Sequence, residues 1–153
     1  MVFWDLPNLL LQKFPADAFT ATARVRLDAR FEGERFGLVV MGLDYAYLGV
    51  SHRQGKLYIS QSTAKDADKG AAESESTPQL IDSKEFYLRV TAADGAICTF
   101  SYSLNGTSFT AVGQPFKARE GRWIGAKTGF FFNRPAKFND AGSADIDWFR
   151  FEK

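Results

Sequence analysis

Apolar side chains recur at every second position along much of this chain. Phe19, Ala21, Ala23, Val25 and Leu27 alternate with Thr20, Thr22, Arg24 and Arg26. Ala46, Leu48 and Val50 alternate with Tyr45, Tyr47 and Ser51, Leu57 and Ile59 with Tyr58 and Ser60, and Phe86, Leu88 and Val90 with Tyr87, Arg89 and Thr91. A period of two is that of an extended strand with one face on a core. No window of about 12 residues keeps the three-and-four spacing of an amphipathic helix. Turn chemistry separates the runs: Glu32-Gly33-Glu34, Arg53-Gln54-Gly55-Lys56, Asp94-Gly95 and Asn105-Gly106, of which Asn-Gly is the strongest hairpin signal. Many short strands divided by turns predict an all-β fold, a β-sandwich (jelly roll) of two antiparallel sheets.

The chain of 153 residues is read as a single domain over 1–153, long enough to bury about 68–70% of its unfolded surface. Residues 63–78 turn polar, with Lys65, Asp66, Asp68, Lys69, Glu73 and Glu75, and are expected to form an exposed loop within it. Residues 136–143 read as a second loop. Fifteen Phe residues favour strands and a Phe-filled interior.

Nineteen Lys and Arg against eighteen Asp and Glu leave a formal charge of +1, which gives no long-range attraction for nucleic acid or an anionic membrane. No apolar run reaches the roughly 20 residues of a membrane helix. The start of the chain lacks the basic and apolar regions of a signal peptide. Cys98 is the single cysteine, set in the apolar run Ala96–Phe100, so it is read as a buried, inert thiol. None of this selects a compartment.

Catalytic signals are sparse. His52 is the only histidine, and it is read as a surface imidazole at a strand end. No Gly-x-Ser-x-Gly elbow supplies a nucleophile, and one His with one Cys does not build a zinc site. Glycosidases need two carboxylates held across the scissile bond. Glu32 and Glu34 bracket a turn glycine and Glu73 and Glu75 lie in the polar loop, so all four read as solvated. The segment Gly121–Gly129 has the wrong glycine spacing for a phosphate loop. The expectation is a chain without catalysis of its own.

Alternation places Tyr45, Tyr47, Tyr58 and Tyr87 on faces turned away from the aliphatic core, with Arg89 beside them and Arg24, Arg26 and Gln61 on the same or adjacent strands. A tyrosine ring with a polar tip suits stacking on a sugar. Cross-strand tyrosines also stabilise a sheet without any ligand. Trp148 and Trp123 read as core anchors. Asp145 and Asp147 open the closing strand and leave two readings, a structural calcium or hydrogen bonding to neighbouring loops.

Several blocks carry a likeness beyond pattern: Pro7–Ala16, the run Gly37-Leu38-Val39-Val40-Met41-Gly42-Leu43-Asp44-Tyr45-Ala46-Tyr47-Leu48-Gly49-Val50, Phe100–Gly106, Gly121–Lys127 and Asp145–Arg150. In this order they resemble the C-terminal concanavalin A-like β-sandwich domain of family 43 glycoside hydrolases, the β-xylosidases and arabinofuranosidases. The resemblance implies a non-catalytic module that follows a five-bladed catalytic propeller. In some members it looks like a xylan- or arabinoxylan-binding module, and in others it packs on the propeller. None of the propeller's carboxylates maps onto this chain. The family's domain usually begins earlier, so the resemblance implies missing first strands and an exposed sheet edge that invites pairing with a second copy.

Overall fold

The computed structural model describes residues 9–16, 18–42, 44–65, 73–93, 95–118, 126–133 and 143–152. Every regular element among them is a strand: β1 (Leu9–Lys13), β2 (Phe19–Asp28), β3 (Arg35–Met41), β4 (Tyr45–Arg53), β5 (Lys56–Ala64), β6 (Ser74–Glu75), β7 (Gln79–Ile81), β8 (Glu85–Ala93), β9 (Ile97–Ser103), β10 (Thr110–Lys117), β11 (Lys127–Asn133) and β12 (Ser143–Glu152). They form two antiparallel sheets. The larger runs β1-β11-β3-β4-β5-β6, with β7 also paired to β5, and the smaller runs β10-β9-β8-β2-β12. The expected sandwich is therefore observed.

The alternation read from the sequence selects the inner faces. Ala21, Ala23, Val25 and Leu27 of β2, Leu88 and Val90 of β8, and Phe100 of β9 meet Leu38 and Val40 of β3, Ala46, Leu48 and Val50 of β4, and Ile59 of β5 in one buried cluster. Each of the Val, Leu, Ile and Phe side chains contributes about 1.5–3 kcal/mol on leaving water, and each Ala methyl under about 1 kcal/mol. At the β11–β12 side the filling is aromatic, with the Phe130 and Phe149 rings 4.7 Å apart and Phe149 and Phe151 4.6 Å apart. At the β5–β10 side it turns polar: inward-facing Gln61 is 5% exposed, and its Oε1 accepts a hydrogen bond from the Gln114 N–H at 2.9 Å. The backbone there is bent by an irregularity between Val112 and Phe116. Gly113 sits in it at φ 73°, where a Cβ would lie 1.9 Å from Gln61 Oε1. Both the left-handed backbone and the close approach require glycine.

The β4–β5 turn has positive φ at both Gln54 (52°) and Gly55 (76°), the geometry whose twist matches a hairpin. The Asn105-Gly106 connection is longer than a tight turn. It spans the residues between Ser103 and Thr110, with Asn105 Oδ1 accepting from the Thr107 and Ser108 N–H groups at 2.8 and 2.9 Å.

One of the two turn carboxylates departs from its sequence reading, while Glu32 stays exposed. Glu34 is 1% exposed, not solvated, and its Oε1 accepts from the Arg30 and Phe31 N–H groups at 2.9 and 2.5 Å, closing the turn into β3. Glu32 Oε1 accepts from the Gln54 N–H at 2.6 Å and so joins two turns. His52 belongs to the same corner, with Nδ1 3.0 Å from the Phe31 carbonyl oxygen.

Cys98 is buried, and burial pushes its thiol up to about 12. Native protein at pH 8 is expected to resist Ellman's reagent and to react stoichiometrically once unfolded in guanidinium. Rapid labelling of the native state would contradict this packing.

Candidate functional site

Tyr45, Tyr47 and Tyr58 project from the outer face of the larger sheet, as alternation predicted. That face is not the wet platform expected. Tyr45 is 4% exposed and Tyr47 0%, within a second buried cluster containing Val39, Met41, Ala64 and Phe131. The Tyr47 ring meets Phe131 edge-on at 4.8 Å and lies 6.3 Å from Tyr45. Their hydroxyls are engaged: Tyr45 donates to Glu73, Tyr47 donates to Glu73 Oε1 at 3.0 Å, and Tyr47 accepts from Arg35 at 2.6 Å. Tyr58 is only half-buried. The sequence signal for a covered face was present in Leu38–Met41 and Phe130–Phe132, where no polar residue alternates with the apolar ones, as in strands buried on both sides.

The segment read as an exposed polar loop supplies the carboxylates. Its residues 66–72 lie outside the described residues, but β6 pairs with β5 through Ser74↔Thr63 and Glu75↔Ser62. Glu75 accepts from the Ser60 hydroxyl at 2.7 Å and from Arg53 at 2.6 Å. Burial alone would raise the Glu75 carboxyl, but these two partners outweigh it and hold the carboxyl below its ordinary value. Glu73 and Glu75 are therefore both bonded to the sheet, Glu73 half-buried and Glu75 still exposed.

Burial pushes the Tyr47 phenol up to about 12 against the pull of Arg35, and burial with the Glu73 hydrogen bond raises Tyr45 further. Both favour the neutral form when folded. Their contribution to stability is thus intact below the ordinary phenol value of 10.0 and, for Tyr47, is lost by about 12. Denaturant unfolding should show stability falling between those limits. Tyr47→Phe should flatten that decline by roughly 1.4 kcal/mol per pH unit.

Tyr87 and Arg89 belong to the outer face of the other sheet, so the four tyrosines do not share a surface. Tyr87 is half-buried, 5.9 Å from the Trp148 ring and 6.5 Å from Phe109. Trp148 is on this outer face too and not a core anchor, because the irregularity between Ile146 and Trp148 sets it opposite Arg24. Trp123 lies outside the described residues. Asp147 pairs with Arg24 at 3.5 Å, and Asp145 lies opposite Arg26. Among the described residues no third carboxylate, imidazole or thiol joins them. Two carboxylates facing guanidinium groups do not by themselves fit calcium, which takes six to eight oxygen ligands.

Alternation did not reveal a cleft of about 840 Å³ at the polar β5–β10 side of the sandwich. Asp44, Gln61, Thr63, Lys65, Ser74, Gln114 and Lys117 line it, with Pro115 and Phe116 as its apolar part. Amide, hydroxyl, carboxylate and ammonium groups converge there. Asp44, just ahead of β4, and Glu75 of β6 also border it. Such a mix can donate and accept hydrogen bonds around a neutral polyol. The inward position of Gln61 on β5 was readable in principle, but its neighbour across the cleft is 53 residues away.

Comparison with known proteins bears on the whole chain. The model of the family described as "Beta xylosidase C-terminal Concanavalin A-like domain" matches residues 1–152. No curated protein matches the chain. Among solved structures, a bifunctional GH43-CE protein of Bacteroides eggerthii superposes with a TM-score of 0.85 at 22% identity, over 99% of this chain and 20% of its own. An engineered GH43 glycoside hydrolase with endo-xylanase and exo-arabinofuranosidase activity gives 0.78 at 20% identity, over 95% and 31%. A xylan β-1,4-xylosidase of Bacillus halodurans gives 0.78 at 16%, over 95% and 29%. The chain thus spans about a fifth to a third of these proteins, and at such identities the likeness is one of fold. With the family model matched from end to end, the chain belongs to the β-xylosidase C-terminal concanavalin A-like domain family.

Proposed function

We propose that this domain recognises β-1,4-xylan or arabinoxylan and holds a family 43 hydrolase on that substrate, with the β5–β10 cleft as its binding site. As a member of its family the chain is the accessory C-terminal domain and not the catalytic propeller. The observation that supports sugar recognition is the cleft itself. Its volume of about 840 Å³ falls in the range of ligand sites, roughly 300–1,000 Å³. Sugar hydroxyls both donate and accept, and the Gln61, Thr63, Gln114 and Lys117 side chains offer both kinds of partner. The benefit to the enzyme would be a raised effective concentration of substrate, without any change in the chemical step.

Retention of the purified chain on insoluble xylan, with cellulose and chitin as controls, tests this. Selective retention reversed by soluble xylo-oligosaccharides is the expected result. A folded chain that passes through unretained would overturn it. The alternative, a domain that packs on the propeller and ignores free sugar, draws on a different feature. Leu10 of edge strand β1 is 72% exposed, beside the aromatic side of the sandwich where Phe149 and Phe151 are only half-buried. Dimerisation of the isolated chain through that edge, without xylan retention, would favour it.

A further inference from the structure

The outer face of the smaller sheet carries two cross-strand rows. Arg150 of β12 lies opposite Thr22 of β2, Thr22 opposite Arg89 of β8, and Arg89 opposite Ser101 of β9. In the adjacent row Trp148, Arg24, Tyr87 and Ser103 follow one another. The two rows are coupled by stacking. The Arg150 guanidinium lies 4.1 Å from the centre of the Trp148 ring, and that of Arg89 lies 3.6 Å from the centre of Phe109.

The charges on this face are not equally satisfied. Arg24 pairs with Asp147, and Arg26 with Asp28 and Glu85. Among the described residues neither Arg89 nor Arg150 has a carboxylate within 4.0 Å. Arg89 Nε donates to the Thr22 hydroxyl at 2.9 Å, which fixes the side chain and leaves its terminal nitrogens available. A guanidinium stacked on a ring keeps its N–H groups directed outward in its own plane, the geometry that grips a carboxylate through two parallel bonds. Two such groups, on strands separated by one other, stand about 10 Å apart at the backbone.

We propose that this face binds the carboxylates of a uronate-bearing glycan, with Arg89 and Arg150 as the two grips and the edges of Trp148 and Tyr87 against the sugar carbons. It rests on the reading of the domain as a polysaccharide-binding module and adds an acidic side-group specificity to it. Charge distribution selects this ligand over a dense polyanion. Asp145, Asp147, Glu85 and Glu152 are all exposed on the two strands that bear Arg150 and Arg89, and the chain carries only +1 overall. A duplex with a phosphate every ~1.7 Å would be driven onto those acids. A glycan with widely spaced carboxylates presents charge only where the two arginines stand.

The full 153-residue chain should be titrated with glucuronoxylan, with the same polymer after carboxyl reduction, with neutral arabinoxylan and with duplex DNA, at low salt and at about 0.5 M NaCl. Glucuronoxylan should bind about tenfold more tightly than its reduced form at low salt, and the preference should shrink at high salt. Arg89→Gln with Arg150→Gln should abolish the preference without altering affinity for neutral arabinoxylan. Arg89→Lys with Arg150→Lys, which keeps charge but not the fork, should restore part of it. Equal affinity for the two glucuronoxylan forms, a preference unchanged in the folded Gln variant, or tighter binding to DNA would overturn the inference. Arginine-dependent binding of glucuronoxylan without binding of neutral arabinoxylan would uphold it while rejecting the cleft. Binding to none of the polymers would overturn both.

Discussion

Replacing Glu73 by Ala is expected to cost the domain about 2–4 kcal/mol and to free the β6 segment from the sheet. The carboxylate is half-buried and accepts from both the Tyr45 and Tyr47 hydroxyls. Both rings are buried in the second cluster, so the variant removes a charged acceptor from two phenols that cannot turn freely to water. Urea denaturation reads the loss directly. Amide exchange at Ser74 and Glu75, which pair with Thr63 and Ser62, should rise in parallel. Glu73→Gln keeps the shape and one acceptor oxygen but not the charge, and should recover about half of the loss. A change below about 0.5 kcal/mol in the Ala variant would mean that the tyrosine cluster stands without this carboxylate.

Gly129→Ala is the second substitution with a large expected effect. A Cβ on Gly129 would lie 1.8 Å from the Leu10 carbonyl oxygen, 2.8 Å from its carbon and 2.9 Å from Leu11 Cα. All three atoms are backbone, so no side-chain rotation relieves the contact. Strand β1 pairs with β11 from Leu9↔Phe131 to Lys13↔Lys127 and lies at the edge of its sheet. It is therefore expected to peel away before the sandwich unfolds. The result should be a loss of about 3 kcal/mol, with exchange protection gone from the β1 amides while β2 and β8 stay protected. Global unfolding without a separate β1 transition would show that the edge strand is integral to the cooperative unit.

The two variants also mark where sequence reasoning held and where it stopped. Alternation assigned Ala46, Leu48 and Val50 to the inside correctly, because a strand's geometry forces neighbouring side chains to opposite faces. The same geometry turned Tyr45 and Tyr47 outward. It carries no information about what lies above that outward face. Their partner Glu73 is 28 and 26 residues away along the chain. Likewise Tyr58 and Tyr87 share a strand pattern but sit in different sheets, since sheet membership is decided by long-range pairing. The cleft shares this limit, because its two walls come from β5 and β10 and meet only after the sheets close. Family likeness could be read from the blocks themselves, because it depends on residue identity and order and not on contacts.

Gln61 gives the sandwich a mechanical property that its oily interior lacks. Apolar layers attract without direction, so two sheets pressed together by Leu, Val and Phe alone resist separation better than sliding. The Gln61 side-chain oxygen reaches across that interface to the Gln114 N–H, while the Gln61 main-chain N–H donates to the Ser76 hydroxyl at 2.9 Å. Directional bonds of this kind work as a brake on shear, fixing the offset of one sheet against the other at the rim where β5 and β10 face each other.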